Sequence, residues 1–230
     1  MRVAIHQPHY LPWLGYLAKW AAADLFVFLD TVQFEKHGWQ NRNRVKTRDG
    51  ARWLTVPVRA RLGEAIGEVA IDTVQPWAGR HLRTIEHAYA GMPWLERYRA
   101  DLKALYAQPW HRLAPLAAAS AEWLARAAGI EVPWRLASDL GVDDADPSGR
   151  LVAICRAVGA DTYLAGRDSH RYLDPSRFAE AGIRVLFQDY RHPVYRQAHG
   201  DFVPSLSALD LLLTHGDEAL PILSRGDCWS

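Results

Sequence analysis

The sequence predicts an α/β fold, a mainly parallel sheet with flanking helices and a helical lobe inserted in it. Three observations predict it. Short apolar runs ending on polar residues alternate with stretches of helical periodicity at both ends of the chain. The first strand, helix and strand fit within about thirty residues, the length of a βαβ unit. The middle, from Trp77 to Ala128, is largely helical.

Arg2 to Ile5 is a short apolar run read as a strand, and Pro8 and Pro12 bracket the loop that follows. Trp13 to Ala23 has helical periodicity, with Leu14, Leu17, Ala18 and Ala21 able to share a face and Pro12 suited to the first turn. Leu25 to Leu29 is continuously apolar and ends in Asp30, as a buried parallel strand does. Gln33 to Arg48 breaks this pattern, being cationic and without a sustained apolar period. Strands are predicted at Arg52 to Val58, Glu68 to Ile71 and Val132 to Leu136. The helical middle is punctuated at Gly91-Met92-Pro93 and Gln108-Pro109. Beyond it come a helix at Ser148 to Val158 stopped by Gly159, a strand at Thr162 to Ala165, and a short helix at Ser176 to Ala181. A strand at Ile183 to Phe187 and a helix at Ser205 to Thr214 complete the chain. The reading is one α/β domain over residues 1–230, with residues 77–128 as the inserted lobe.

Composition narrows the function. At 230 residues and 26.0 kDa, with 49% hydrophobic and 23% charged residues, the chain has globular values. A formal charge of +1 argues against general nucleic-acid binding. No apolar run is long enough for a membrane span, and the first residues carry no signal-peptide core. Cys155 and Cys228 are too few for a disulfide framework, so a reducing cytoplasm is expected. Cys155 lies in an apolar helix and reads as a structural thiol. The histidines show no metal-ligand spacing, and no metal site is expected. Arginine outnumbers lysine 23 to 4, which fits codon bias or a need for many carboxylate- or phosphate-binding forks. Tryptophan is unusually frequent, and several of the ten lie beside polar clusters.

Four polar segments follow predicted strands. His6-Gln7-Pro8-His9-Tyr10-Leu11-Pro12-Trp13-Leu14-Gly15-Tyr16 links the first strand to the first helix, where open α/β sheets bind ligands. The Asp30 to Lys46 segment offers Gln33, Lys36, Trp39, Gln40, Asn41, Arg42, Arg44 and Lys46, a set suited to an anionic ligand. The third follows the strand ending at Gly166 and includes Tyr172. Its Asp168-Ser169-His170 string is no triad, because adjacent side chains point apart. The fourth carries Gln188, Asp189, Tyr190 and His192. In a parallel sheet such loops share one edge, so His6, Asp30, Trp39, Arg42, Tyr172 and Gln188 are expected to line one pocket. The helical lobe is expected beside it, able to close over it.

The first loop is distantly reminiscent of nucleotidyltransferase-like, Rossmann-type enzymes, although both histidines of their His-x-Gly-His motif are absent from Trp13-Leu14-Gly15-Tyr16. Over nearly the whole chain the sequence resembles the WbqC-like family. The first loop carries the resemblance, with Asp30 and Val32-Gln33-Phe34, Trp39-Gln40-Asn41-Arg42-Asn43-Arg44-Val45-Lys46, Trp53-Leu54-Thr55-Val56-Pro57-Val58, Tyr163-Leu164-Ala165-Gly166, Tyr172-Leu173-Asp174, Gln188-Asp189-Tyr190 with His192-Pro193, and Leu209-Asp210-Leu211-Leu212. Ala165-Gly166-Arg167-Asp168 departs from the family's usual Ser-Gly start. The resemblance implies a small tailoring enzyme of surface-polysaccharide (O-antigen) or natural-product biosynthesis, attaching an acyl or aminoacyl group to an amine.

In that reading His6 is the general base, Asp30 orients or charge-balances it, and Arg42, Arg44 and Lys46 hold a donor phosphate. The donor is carrier-protein phosphopantetheine, coenzyme A or a nucleotide, with an acyl carrier protein as a possible partner. The cofactor is left open. The alternatives are ATP-dependent adenylyl transfer or ligation, and a non-catalytic module that binds a carrier protein or sugar nucleotide.

Overall fold

A computed structural model describes residues 1–230. The elements are β1 (Arg2–His6), α1 (Leu14–Ala21), β2 (Leu25–Phe28), β3 (Arg42–Thr47), β4 (Gly50–Thr55), β5 (Val58–Arg59), β6 (Ala70–Ile71), α2 (Trp77–Ala88), α3 (Leu95–Ala107), α4 (Leu113–Ala127), β7 (Trp134–Leu136), α5 (Pro147–Ala157), β8 (Thr162–Ala165), α6 (Pro175–Glu180), β9 (Arg184–Phe187), α7 (Ala208–His215) and α8 (Ala219–Ser224). Five of the strands form one sheet in the order β7-β2-β1-β8-β9, every pair parallel.

The two-residue period of the strands sorts the core into two layers. Ala4, Phe26, Phe28 and Leu164 face a large apolar cluster with α1, α2, α3, α4, α7 and α8. Val3, Ile5, Val27, Tyr163 and Ala165 face a smaller cluster with Leu151, Ile154 and Cys155 of α5 and Phe178 of α6. The sheet is thus covered on both faces, which is why its short strands are nearly continuous apolar runs. Burial pushes the Cys155 thiol up to about 12, as fits a packed, unreactive sulfur. Helices α2, α3 and α4, the stretch read as an inserted lobe, share the larger core with α1 and the sheet. No helix is long and apolar enough to cross a membrane.

The topology creates one crevice. From β1 the chain passes through α1 to β2 on one side; from β8, the other neighbour of β1, it passes through α6 to β9. Helices α1 and α6 cover opposite faces. The carboxyl ends of β1 and β8 therefore flank a switch point, where open parallel sheets leave a cleft for ligands.

The structure differs from the sequence expectation in two elements, one after β2 and one near the end of the chain. Arg42–Thr47 is a strand, paired antiparallel with β4 from Arg42↔Thr55 to Thr47↔Gly50. Its apolar face reduces to Val45, because buried Asn43 and Lys46 use their polar ends on neighbouring backbone and charge masks the alternation. The helix at Ala219–Ser224 was not anticipated, and it supplies Ile222 and Leu223 to the large core.

Candidate active site

A cavity of about 540 Å³ occupies the switch point. It is lined from β1 and its loop by Ile5, His6, Gln7, His9 and Trp13, and from α1 by Gly15, Tyr16 and Lys19. Gly166 to Ser169, Tyr172, Gln188 and Tyr190 follow β8 and β9. Trp39 and Glu35 come from the segment before β3.

His6 ends β1 and, by the parity that turns Ala4 toward α1, projects to the α1 face. Its Nδ1–H donates to the Gln7 carbonyl at 3.2 Å, which fixes the tautomer and leaves the Nε2 lone pair for the cavity. The Tyr16 hydroxyl donates to the same carbonyl at 3.1 Å. His6, His9 and Tyr16 form an aromatic cluster with centroid separations of 4.7, 4.6 and 5.2 Å. Burial and the nearby Lys19 charge, with His9 adding a further push, hold His6 well below the usual imidazole value. The same burial, with Lys19, lowers His9 to about 3. Both rings are neutral at pH 7. The His9 Nδ1 is buried and makes no hydrogen bond.

Lys19 is the residue that sequence reasoning missed. It lies in the last turn of α1, 2% exposed, and its Nζ donates to the Ile5 carbonyl at 3.2 Å. No acid forms an ion pair with it, and burial alone lowers its ammonium from the ordinary 10.5 to about 7. A signal existed: this is one of only four lysines in an arginine-rich chain, and every residue from Leu14 to Trp20 around it is buried.

The walls are braced. A Cβ on Gly15 would fall 2.3 Å from the Trp13 ring, so only glycine lets the indole lie flat there. Gln188 Nε2 donates to the Gly15 carbonyl at 3.1 Å and to Asp227 at 2.9 Å. Tyr190 meets Trp13 edge-on at 5.4 Å and donates to the Leu223 carbonyl. Ser169 Oγ and the Tyr172 hydroxyl are 3.1 Å apart.

Of the six residues expected to meet, His6, Trp39, Tyr172 and Gln188 line this cavity, whereas Asp30 and Arg42 do not; the other candidates Gln7, Trp13, Gly166 and Tyr190 line it as well. Nor does any residue of the helical stretch 77–128. Asp30 is buried with Oδ1 accepting from Ser138 N at 3.0 Å and Oδ2 from Ser138 Oγ at 2.7 Å. Its carboxylate ties β2 to the turn after β7 and does not orient His6. Asp30→Ala is expected to lower the unfolding free energy by about 2 kcal/mol in urea titration, because two donors to a charged acceptor lose their partner.

The cationic segment does a different task from the one expected of it. Arg42 donates to the His37 and Gly38 carbonyls and stacks on Trp53, 4.4 Å from its centroid. Arg44 reaches the Pro204 and Ser205 carbonyls, each at 3.3 Å, and Lys46 reaches Asp201 O. Asn41 donates to Val56 O, Gln40 Nε2 to Gln7 Oε1 at 2.8 Å, and the unassigned Asn43 to Leu11 O at 2.7 Å. Leu11, buried with φ of 45°, is held in that strained conformation by Asn43 and by Ser120, whose Oγ accepts from its N–H. These donors clamp the loops around the cavity. Tyr10 is buried against His81 and Tyr106, Gln33 bridges to Ala65, and Lys36 is solvent-exposed. Asp189 faces Arg167 at 3.7 Å in solvent, and His192 donates to the Pro193 carbonyl outside the cavity.

The sequence model of the WbqC-like protein family matches residues 7–222. Uncharacterized protein Rv1507c of Mycobacterium tuberculosis is 35% identical over 223 residues, covering 95% of each chain. No solved structure matches the chain. The family match runs through the cavity loops and the clamping strand alike, and on that extent the chain belongs to the WbqC-like protein family.

Proposed function

We propose that the protein is a small-molecule transferase that forms an amide, moving an acyl or aminoacyl group from an activated donor to an amine. The observation that carries this reading is His6. It is a neutral imidazole at a parallel-sheet switch point, with its tautomer set by Gln7 and its Nε2 free toward an aromatic-walled cavity. Such a group suits proton abstraction from a nucleophile. The amine nitrogen adds to the donor carbonyl carbon. The C–N bond forms, the bond from that carbon to the leaving group breaks, and His6 Nε2 takes the proton lost by nitrogen and returns it to the leaving group.

The lining charges favour a weakly charged donor arm. The lining carries two cations, Lys19 and Arg167, and two acids, Glu35 and Asp168, with Arg167 facing Asp189 and Asp168 facing Arg171, and Arg42, Arg44 and Lys46 are occupied by backbone carbonyls. A thioester on coenzyme A or a carrier-protein phosphopantetheine arm fits this balance better than a bare triphosphate, and a nucleotidyltransferase-like relationship of the fold belongs to the same proposal. The setting is cytoplasmic tailoring in polysaccharide or natural-product biosynthesis.

The test is to incubate the protein with acyl- and aminoacyl-thioesters and a panel of amines, reading amide products by mass spectrometry. Product that vanishes in His6→Ala supports the reading. A ligand-dependent rise in melting temperature with no product from any donor would make the protein a binding module. Adenylate formation from ATP in place of thioester use would make it a ligase.

A further inference from the structure

We propose that the inner end of the cavity, formed by Lys19, His9 and the bare backbone at Gly166 beside Ser169, is a carboxylate subsite, so that the amine substrate is an amino carboxylate. The amine half of this statement rests on the transferase reading; the carboxylate half does not.

Four observations converge. First, the Lys19 ammonium has three N–H groups, one bonded to Ile5 O and none paired with an acid, although the side chain is 2% exposed. A buried cation normally has an anionic partner, and here the cavity it lines is where one can sit. Second, His9 lines the same cavity, and its Nδ1 is buried and unpartnered. A neutral imidazole with N–H at that position donates to a carboxylate oxygen.

Third, Gly166 has ordinary backbone angles, φ −75° and ψ 159°, so glycine is not needed there for conformation. A Cβ on it would lie 3.8 Å from Lys19 Nζ and 4.0 Å from Ser169 Oγ. The missing side chain leaves open the space between the ammonium and the serine hydroxyl.

Fourth, charge is graded along the cavity. The buried end carries one ammonium and two neutral imidazoles, which balances a single negative charge and not a polyphosphate. At the solvent end stands the exposed acid Glu35, while Arg167 is engaged with Asp189 and Asp168 with Arg171. A carboxylate inside and an ammonium or amine toward the rim match this gradient. The bound carboxylate would also favour the protonated form of the nearby His6, lifting its basicity when substrate is present.

The test uses the small number of lysines. With lysine labelled at ¹³Cε, the chain gives four resonances, and Lys19→Met identifies the one from Lys19. The probes are acetate, inorganic phosphate, methylammonium, glycine, β-alanine and γ-aminobutyrate. Acetate is expected to shift the Lys19 resonance saturably, and at least one of the amino carboxylates to do so at tenfold lower concentration. Gly166→Ala, whose methyl the free protein accommodates, is expected to keep the Lys19 resonance and the melting temperature while weakening acetate at least tenfold. A Lys19 signal indifferent to every carboxylate, a preference for phosphate over acetate, or unchanged binding in Gly166→Ala would each overturn the subsite. Amino carboxylates no better than acetate would remove the amine half. Carboxylate binding without amide product would leave the subsite standing and remove the transferase reading; amide product with an unresponsive Lys19 would do the reverse.

Discussion

Lys19→Met is expected to make the protein more stable, by about 4 kcal/mol at pH 6 in denaturant titration. The reason is the charge that folding hides. In the unfolded chain the ammonium titrates near its ordinary 10.5, and in the folded protein burial brings it to about 7. Below pH 7 the group is protonated in both states, so the full cost of burying the charge is present, on the order of 5 kcal/mol. Between about 7 and 10.5 the unfolded chain binds more protons than the folded one, and wild-type stability therefore rises with pH across that window. Methionine fills a similar volume without the charge. The bond to Ile5 O is lost, at about 1 kcal/mol, which is why the net gain is smaller than the charge term. The advantage of the variant should be largest at pH 6 and should shrink as pH climbs toward 10.5. A difference between the two proteins that stayed flat over that range would show that Lys19 is not titrating in the folded state.

The elements legible in the sequence were those whose burial is written into consecutive residues. Leu25 to Phe28 and Thr162 to Ala165 are apolar runs because both faces of the sheet are covered, and the end of the second run puts Gly166 at the carboxyl edge of the sheet, beside the cavity. His6 was legible for the same reason, as the first polar residue after β1. What escaped was anything decided by partners far away in sequence. Arg42, Arg44 and Lys46 read as a free anion-binding run, because the carbonyls of His37, Gly38, Asp201, Pro204 and Ser205 that claim them are not visible as donors or acceptors in a string of letters. Asp30 read as the partner of His6 because both end neighbouring strands. Ser138, more than a hundred residues later, takes its carboxylate instead. Lys19 was hidden in the opposite way, absorbed into a helix whose apolar period was strong enough to carry one charged residue unnoticed.

His6→Ala is expected to lower turnover by on the order of 10² to 10⁴, the usual contribution of a positioned general base. Stability should change little, since the ring makes one hydrogen bond, to Gln7 O, and its other nitrogen faces the cavity. Two readouts separate catalysis from a packing defect. Added imidazole should restore part of the rate, because the deleted ring leaves room for it inside a cavity of about 540 Å³. The pH profile should carry the same signature. A base works when neutral, so activity is lost as pH falls through the His6 value, which burial, Lys19 and His9 hold well below 6.5. The wild-type rate should therefore hold steady through pH 6.5 and decline only at lower pH. Lys19→Met removes the charge that helps to hold His6 down, so in that variant the decline should begin at higher pH, nearer 6.5. An acid limb at 6.5 in the wild type, unmoved by Lys19→Met, would mean that another group takes the proton. A rate unchanged in His6→Ala would remove the base assignment altogether, whatever the cavity binds.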